Sequence, residues 1–328
     1  MRRTIRIGFI GAGDIANLHA RAIAKLPGAE LRGLWNRTAS RAKAKAAEYG
    51  CRAYETAEEL LVDPKIEAVF ILTNVETHFR YAVAAAEAGK HILMEKPVAE
   101  TLEELLNLKK VIERTKVKLM PVHNYIHEPG VERIREMIQS GALGAITQFH
   151  MMYNIFHPED NRVKYPGVIH QIMTHHAYTM IYLAGLPAAV SCMKSNIDAT
   201  FAKQENVAMA VMKMQNNALS HLSASFAGDD HAGEPWTCMI KVIGTKGSAK
   251  YSYRDWVVNA PNGPHSQTYF CYPESIVNTA SSFIENVLRN GREPLSTLDD
   301  AIAVQRIIDA CEKSAEEGIT VNMNFDRR

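Results

Sequence analysis

Gly11-Ala12-Gly13 separates an apolar, β-branched run at residues 5–10 from a segment, 15–26, whose apolar residues recur at helical spacing. A strand that is apolar on both faces has to be covered on both sides, and a glycine turn leading straight into a helix supplies one cover. The pattern repeats. Short aliphatic runs at 31–35, 68–72, 91–94 and 118–121 alternate with helically spaced segments at 39–49, 78–88 and 102–114. Such alternation predicts an α/β, Rossmann-like, doubly wound N-terminal domain over residues 1–122.

Beyond Pro121 the rhythm changes. A helical stretch at 131–140, a long extended run at 145–155 and a helical run at 167–184 are followed by extended segments at 190–197, 207–214, 218–226, 237–244, 248–253 and 256–259. Turn signals such as Gln215-Asn216-Asn217 and Gly244-Thr245-Lys246-Gly247 divide them. These segments predict an α+β C-terminal domain with a mainly antiparallel open sheet over 123–328. Its closing helices, 275–290 and 297–317, are free to pack back on the first domain. A chain of 328 residues has room for two such cores. Met193, Met212, Met214, Leu219 and Leu222 suggest an apolar outer sheet face, and with it a homodimer or homotetramer.

With 37 Lys+Arg against 36 Asp+Glu, no global field favours nucleic acid or an anionic membrane. The first apolar run is too short for a signal peptide or a span, so a cytoplasmic protein is expected. Five scattered cysteines without a C-x-x-C pair read as reduced thiols, with no metal site.

The Gly11-x-Gly13-x-x-Ala16 turn has the context that a dinucleotide fingerprint requires. Gly11 permits the turn, Gly13 lets the backbone approach a pyrophosphate, Ala16 allows close helix packing, and Asp14 and Ile15 open the helix beside it. The acidic residue expected at the end of the second strand is replaced by Asn36-Arg37-Thr38. Asn36 does not repel a 2′-phosphate and Arg37 can clamp one, so the cofactor is NAD or NADP with a lean to NADP.

Ala88-Gly89-Lys90-His91 leads through an apolar run to Glu95-Lys96-Pro97, and Gly167 leads through His175 to Gly185. With the glycine turn, these segments make the whole chain resemble the glucose–fructose oxidoreductase/inositol dehydrogenase (Gfo/Idh/MocA) family. The resemblance implies that Lys96 lies beside the nicotinamide and the substrate, next to Glu95 and before a cis Pro97. Thr73-Asn74, followed by His78, stands where the family usually has Thr-Pro-Asn and a histidine. Thr73 and Asn74 are cofactor-contact candidates, and His78 is either a contact or a packing residue. Independently of family, a desolvated lysine can hydrogen-bond a reacting oxygen and stabilise developing alkoxide charge.

On the 167–184 helix, Gln171, His175 and Tyr178 are spaced to share one face. His170 and His175 are five residues apart with no nearby carboxylate, which argues against a metal. His176 points elsewhere and reads as packing. By the resemblance, His175 falls on the family's acid/base histidine, while Gln171 replaces the usual aspartate, so Lys96 or Tyr178 shares the proton work. Substrate-binding candidates are His123 and Asn124, Tyr153, His157 and Arg162, Gln171, and His231 with Trp236. His123 and Asn124 serve equally as ties between the domains.

The function implied is NAD(P)-dependent hydride transfer between nicotinamide C4 and a hydroxyl-bearing carbon of a sugar, polyol or related ring alcohol, with Lys96 and His175 near the reacting oxygen. Two alternatives stay open: a redox-assisted glycosidase or lyase with tightly bound NAD, and a non-catalytic dinucleotide-binding sensor.

Overall fold

A computed structural model describes residues 3–228, 238–252 and 271–325. The described residues group into two compact units, one from Met1–Asn124 and Pro273–Ile302, the other from Tyr125–Tyr272 and Ala303–Arg328. The division thus falls two residues beyond the expected 122, and the segment 273–302 belongs with the first unit. His231, Trp236 and the extended run at 256–259 lie outside the described residues.

The first unit is built on six parallel strands: β1 (Ile5–Ile10), β2 (Ala29–Trp35), β3 (Arg52–Ala53), β4 (Ala68–Ile71), β5 (His91–Met94) and β6 (Leu119–Pro121), in the order β3-β2-β1-β4-β5-β6. Strand order reverses between β1 and β4, and the crevice at their carboxyl ends is where a doubly wound sheet presents a ligand site. β1 and β4 are the central strands because both of their faces are apolar. Ile5, Ile7, Phe9, Ile10, Val69, Phe70 and Ile71 are all fully buried. The helices between strands start on side-chain caps where the sequence supplies them. Thr56 accepts the Glu59 N–H and Thr101 accepts that of Glu104. Lys90 is spent on structure, since its buried ammonium donates to the Asp63 and Ile66 carbonyls, each at 2.8 Å.

The second unit carries a seven-stranded mixed sheet made of β7 (Ile146–Asn154), β8 (Pro187–Ser195), β9 (Val207–Met214), β10 (Leu219–Ser225), β11 (Cys238–Gly244), β12 (Ser248–Ser252) and β13 (Val321–Asn322), ordered β12-β11-β7-β10-β9-β8-β13. Its pairings are antiparallel except for β7 with β10, where His150 lies opposite His221. The helix Thr174–Ala184 covers one face, and Ser220 on β10 hydrogen-bonds the Met180 sulfur at 3.0 Å. Along β9 burial alternates strictly, so Met212 and Met214 turn inward, as does Leu222 on β10. These three correct the outer-face expectation. Met193 (82% exposed) and Leu219 stay outside and are joined there by Met209 and Val211. No helix among the described residues is long and apolar enough to cross a membrane.

Candidate functional site

At the β1/β4 crevice lies a cavity of about 450 Å³, lined by the glycine turn, the end of β2 and the loop after β4. The two glycines of the turn do different work. Gly11 has φ +109°, and a Cβ there would lie 2.7 Å from the backbone of Leu72, so this glycine lets β1 and β4 close up. A Cβ on Gly13 would meet nothing within 4 Å. Its bare backbone faces the cavity at the start of the helix Asp14–Lys25, where unsatisfied N–H groups favour an anion. Those open N–H groups fit a dinucleotide pyrophosphate.

Asn36 accepts the Ala12 N–H at 3.1 Å and donates to the Thr38 carbonyl, so it braces the turn from β2. Arg37 and Arg41 are both exposed and line the cavity mouth beyond it. Arg41 was not singled out in the sequence, although it stands one helical turn after Arg37. Trp35 and Tyr81, with ring centroids 5.3 Å apart, supply an aromatic wall that sequence reasoning also missed. Thr73 and Asn74 line the opposite side, and the Thr73 hydroxyl accepts from Thr77 at 2.8 Å.

His78 is buried, with Nδ1 2.7 Å from the Pro97 carbonyl and Nε2 2.9 Å from that of Thr73. It ties the loop after β4 to the loop after β5. Burial lowers its pKa, against the pull of those two carbonyls. The Lys96–Pro97 bond is cis. Burial pushes the Lys96 ammonium down to about 8, against the attraction of Glu95. Glu95 itself accepts the Lys96 backbone N–H at 3.3 Å, and His19 Nε2 lies 2.8 Å from its other oxygen. Also in this unit, Ser296 lies against His123 Nδ1 and Asn124 donates to Ser275 at 2.7 Å, so both buried side chains are engaged by the 273–302 segment.

In the second unit, His175 and Tyr178 are buried and joined, with the tyrosine oxygen 2.6 Å from His175 Nδ1. The same oxygen accepts the Tyr125 N–H at 3.3 Å, and the Tyr125 ring stacks on the imidazole at 4.6 Å. Burial raises the Tyr178 hydroxyl well above its ordinary range, which keeps it protonated and able to donate. The preceding turn, Ile169–Met173, is π-helical, so the straight-helix spacing that would align Gln171 with His175 does not carry through it. Gln171 is half-buried.

His176 is fully buried with neither ring nitrogen hydrogen-bonded, and burial pushes it down to about 3. Tyr153 is inside the sheet's core, and His157 packs edge-on against Phe226 at 4.6 Å. Arg162 is 6% exposed and donates to the Asp198 carbonyl. Next to it, burial would raise the Glu159 carboxyl, but N–H groups of Ala202, Phe201 and Thr200 and the Thr200 hydroxyl hold it at about 2. Arg162, expected among the substrate-binding residues, is therefore engaged with the loop at 198–202.

Two family models match the chain. One, described as an oxidoreductase family with an NAD-binding Rossmann fold, covers residues 5–123. The other, the GFO/IDH/MocA C-terminal domain, covers residues 131–250. The chain belongs to the Gfo/Idh/MocA oxidoreductase family. Inositol 2-dehydrogenase of Rhizobium meliloti (strain 1021) is 28% identical over 331 residues, which span 96% of this chain and 98% of that protein. A crystal structure of an oxidoreductase from Agrobacterium radiobacter, in complex with NAD+, L-tartaric acid and magnesium, superposes with a TM-score of 0.87 at 21% identity, covering 97% of this chain and 98% of that one. Scyllo-inositol dehydrogenase from Lactobacillus casei, with bound NAD(H) and scyllo-inositol, gives a TM-score of 0.84 at 20% identity over 98% and 99% of the two chains. As a Gfo/Idh/MocA member, the chain is an NAD-dependent oxidoreductase of two domains.

Proposed function

We propose that this Gfo/Idh/MocA member oxidises a carbinol carbon of a cyclic polyol or sugar, and catalyses the reverse reduction when reduced cofactor is in excess. The observation that carries this reading is Lys96, a cation at the end of β5 in the dinucleotide-binding unit whose ammonium is depressed to about 8 by burial. Bound nicotinamide supplies the two-electron acceptor at its C4. The chain supplies the proton chemistry. A share of Lys96 is already the neutral amine near neutral pH, and that amine takes the hydroxyl proton as the C–H hydride leaves. In the reverse direction its ammonium returns the proton.

His175 is assigned to proton transfer in the second unit, and Tyr178 to orienting it. A Tyr178 O–H that donates to Nδ1 leaves the hydrogen of the neutral ring on Nε2. Gln171, His123 and Asn124 are proposed to bind or frame the substrate, and Tyr153, His157 and Arg162 to support it from inside the fold. Two of the three named relatives are inositol dehydrogenases, which supports a ring polyol as the substrate class.

For the cofactor, two arginines at the cavity mouth and no carboxylate at position 36 favour NADP. For assembly, the outer sheet face carrying Met193, Met209, Val211 and Leu219 favours a second copy of the chain. A panel of inositols, hexoses and anhydro-sugars assayed with NAD and NADP by nicotinamide absorbance tests the reading. A panel with no absorbance change and no product would refute it.

A further inference from the structure

His19 lies within the helix Asp14–Lys25 that the phosphate turn opens, and its ring is fully buried. It stands edge-on to Phe70 at 5.5 Å and to Phe9 at 6.5 Å, in an apolar layer between that helix and strands β4 and β1. A histidine there reads as packing until its one polar contact is considered. Nε2 lies 2.8 Å from Glu95 Oε1, while Nδ1 makes no hydrogen bond. A carboxylate only accepts, so Nε2 carries the hydrogen in this contact. The other Glu95 oxygen accepts the Lys96 backbone N–H, so the carboxylate is held at both ends, with the reactive lysine one residue away.

We propose that His19 is a positioning residue for the reaction: its Nε2–H fixes the Glu95 carboxylate beside Lys96 and so governs proton exchange at the Lys96 ammonium. The proposal rests on the role assigned to Lys96 above. Two forces act on that ammonium, burial driving the proton off and Glu95 holding it on. The field of a carboxylate depends on where it points, and in a site of low dielectric a swing of an ångström or two alters it appreciably. The titratable groups recorded around Glu95 are His19 from the first helix, His78 from the helix His78–Glu87, and Lys96 itself. β1 and β4 contribute the rings of Phe9 and Phe70, which cannot replace the lost donor. With His19 removed, Glu95 turns toward other donors, its hold on the Lys96 proton weakens, and burial dominates.

The test uses the full-length protein labelled with [13Cε]lysine, with the Lys96 signal assigned by its loss in Lys96→Met. In His19→Leu and His19→Met the Lys96 titration midpoint is expected to fall by roughly half a unit to one unit. His19→Gln places an amide N–H near the position of Nε2 and should restore the midpoint. Glu95→Gln should lower it at least as much as His19→Leu, and the double variant no further than Glu95→Gln, because both act through one carboxylate. The acidic limb of the pH profile of kcat/KM for alcohol oxidation should move with the midpoint, with the KM for cofactor unchanged. An unmoved Lys96 midpoint in the folded His19→Leu or His19→Met protein overturns the proposal. A midpoint that moves while the acidic limb stays in place overturns the role given to Lys96 instead and leaves the coupling to His19 standing.

Discussion

The two glycines of the phosphate turn give the sharpest prediction, because the structure separates their roles. Gly11→Ala places a methyl group 2.7 Å from the Leu72 carbonyl at φ +109°. The backbone conformation costs about 1–3 kcal/mol and the overpacking about 1–3 kcal/mol more, so a loss of roughly 2–6 kcal/mol in unfolding free energy is expected. Gly13 has φ −76°, and its added side chain enters open space. Gly13→Val should therefore cost only about 1 kcal/mol, from the poorer helix start.

For cofactor affinity Gly13→Val is the damaging change. The branched side chain fills the place where a pyrophosphate meets the helix N–H groups, and losing even one or two charge-assisted hydrogen bonds at about 1.5–3 kcal/mol each amounts to roughly 10-fold or more in Kd. Urea unfolding of the cofactor-free proteins, paired with fluorescence titration of reduced cofactor, measures both quantities. If Gly13→Val bound reduced cofactor as the wild type does, or lost as much stability as Gly11→Ala, the division of labour would be wrong.

Arg37→Ala combined with Arg41→Ala should weaken NADP binding by about 1–3 kcal/mol more than NAD binding, and equal losses would mean that neither arginine reads the 2′-phosphate. Burial holds His176 at about 3 and His127 at about 4, below the ordinary 6.5 of an exposed imidazole, so both are neutral in the fold. The unfolded chain then binds more protons between those values and 6.5. Stability is complete above about 6.5 and falls with acid, by at most about 1.4 kcal/mol per pH unit for each group. His176→Leu should flatten that dependence in urea titrations between pH 6.5 and 4, and an unchanged slope would show that His176 is solvated. Met193→Glu with Val211→Glu should convert an oligomer to monomer in light scattering, and a wild type that already runs at the 36.5 kDa of one chain would remove the assembly proposal.

The first unit was legible because β4 is apolar throughout and β1 and β5 depart from that only at Arg6 and His91, a pattern that a doubly covered parallel strand requires. β3, two residues with a charged arginine, is too short to leave a pattern, and the helix Ala57–Val62 beside it passed unread for the same reason. The outer face of the second sheet misled because β9, Val-Ala-Met-Ala-Val-Met-Lys-Met, carries apolar residues on both sides. Only its register with β8 and β10 decides which side is covered. Gly13, Asn36 and Thr73, which motif spacing singles out in the sequence, line the cavity of the first unit. His19 was not legible, since a lone histidine on an apolar helix face gives no sign that a carboxylate 76 residues later will meet it. Arg162 stood among the substrate-binding candidates because its cationic type is visible in sequence and its burial is not.

The central claim is that hydride passes between a carbinol carbon and the cofactor while Lys96 handles the proton. It is tested most directly with a ring polyol deuterated at the carbinol carbon, incubated with the wild type and with Lys96→Met, the label being followed in the reduced cofactor. The account predicts deuterium at nicotinamide C4 in step with ketone formation, and a rate at least about 100-fold lower in Lys96→Met with cofactor affinity unchanged. Label lost to solvent with no net reduced cofactor, or a Lys96→Met enzyme as fast as the wild type, would contradict it.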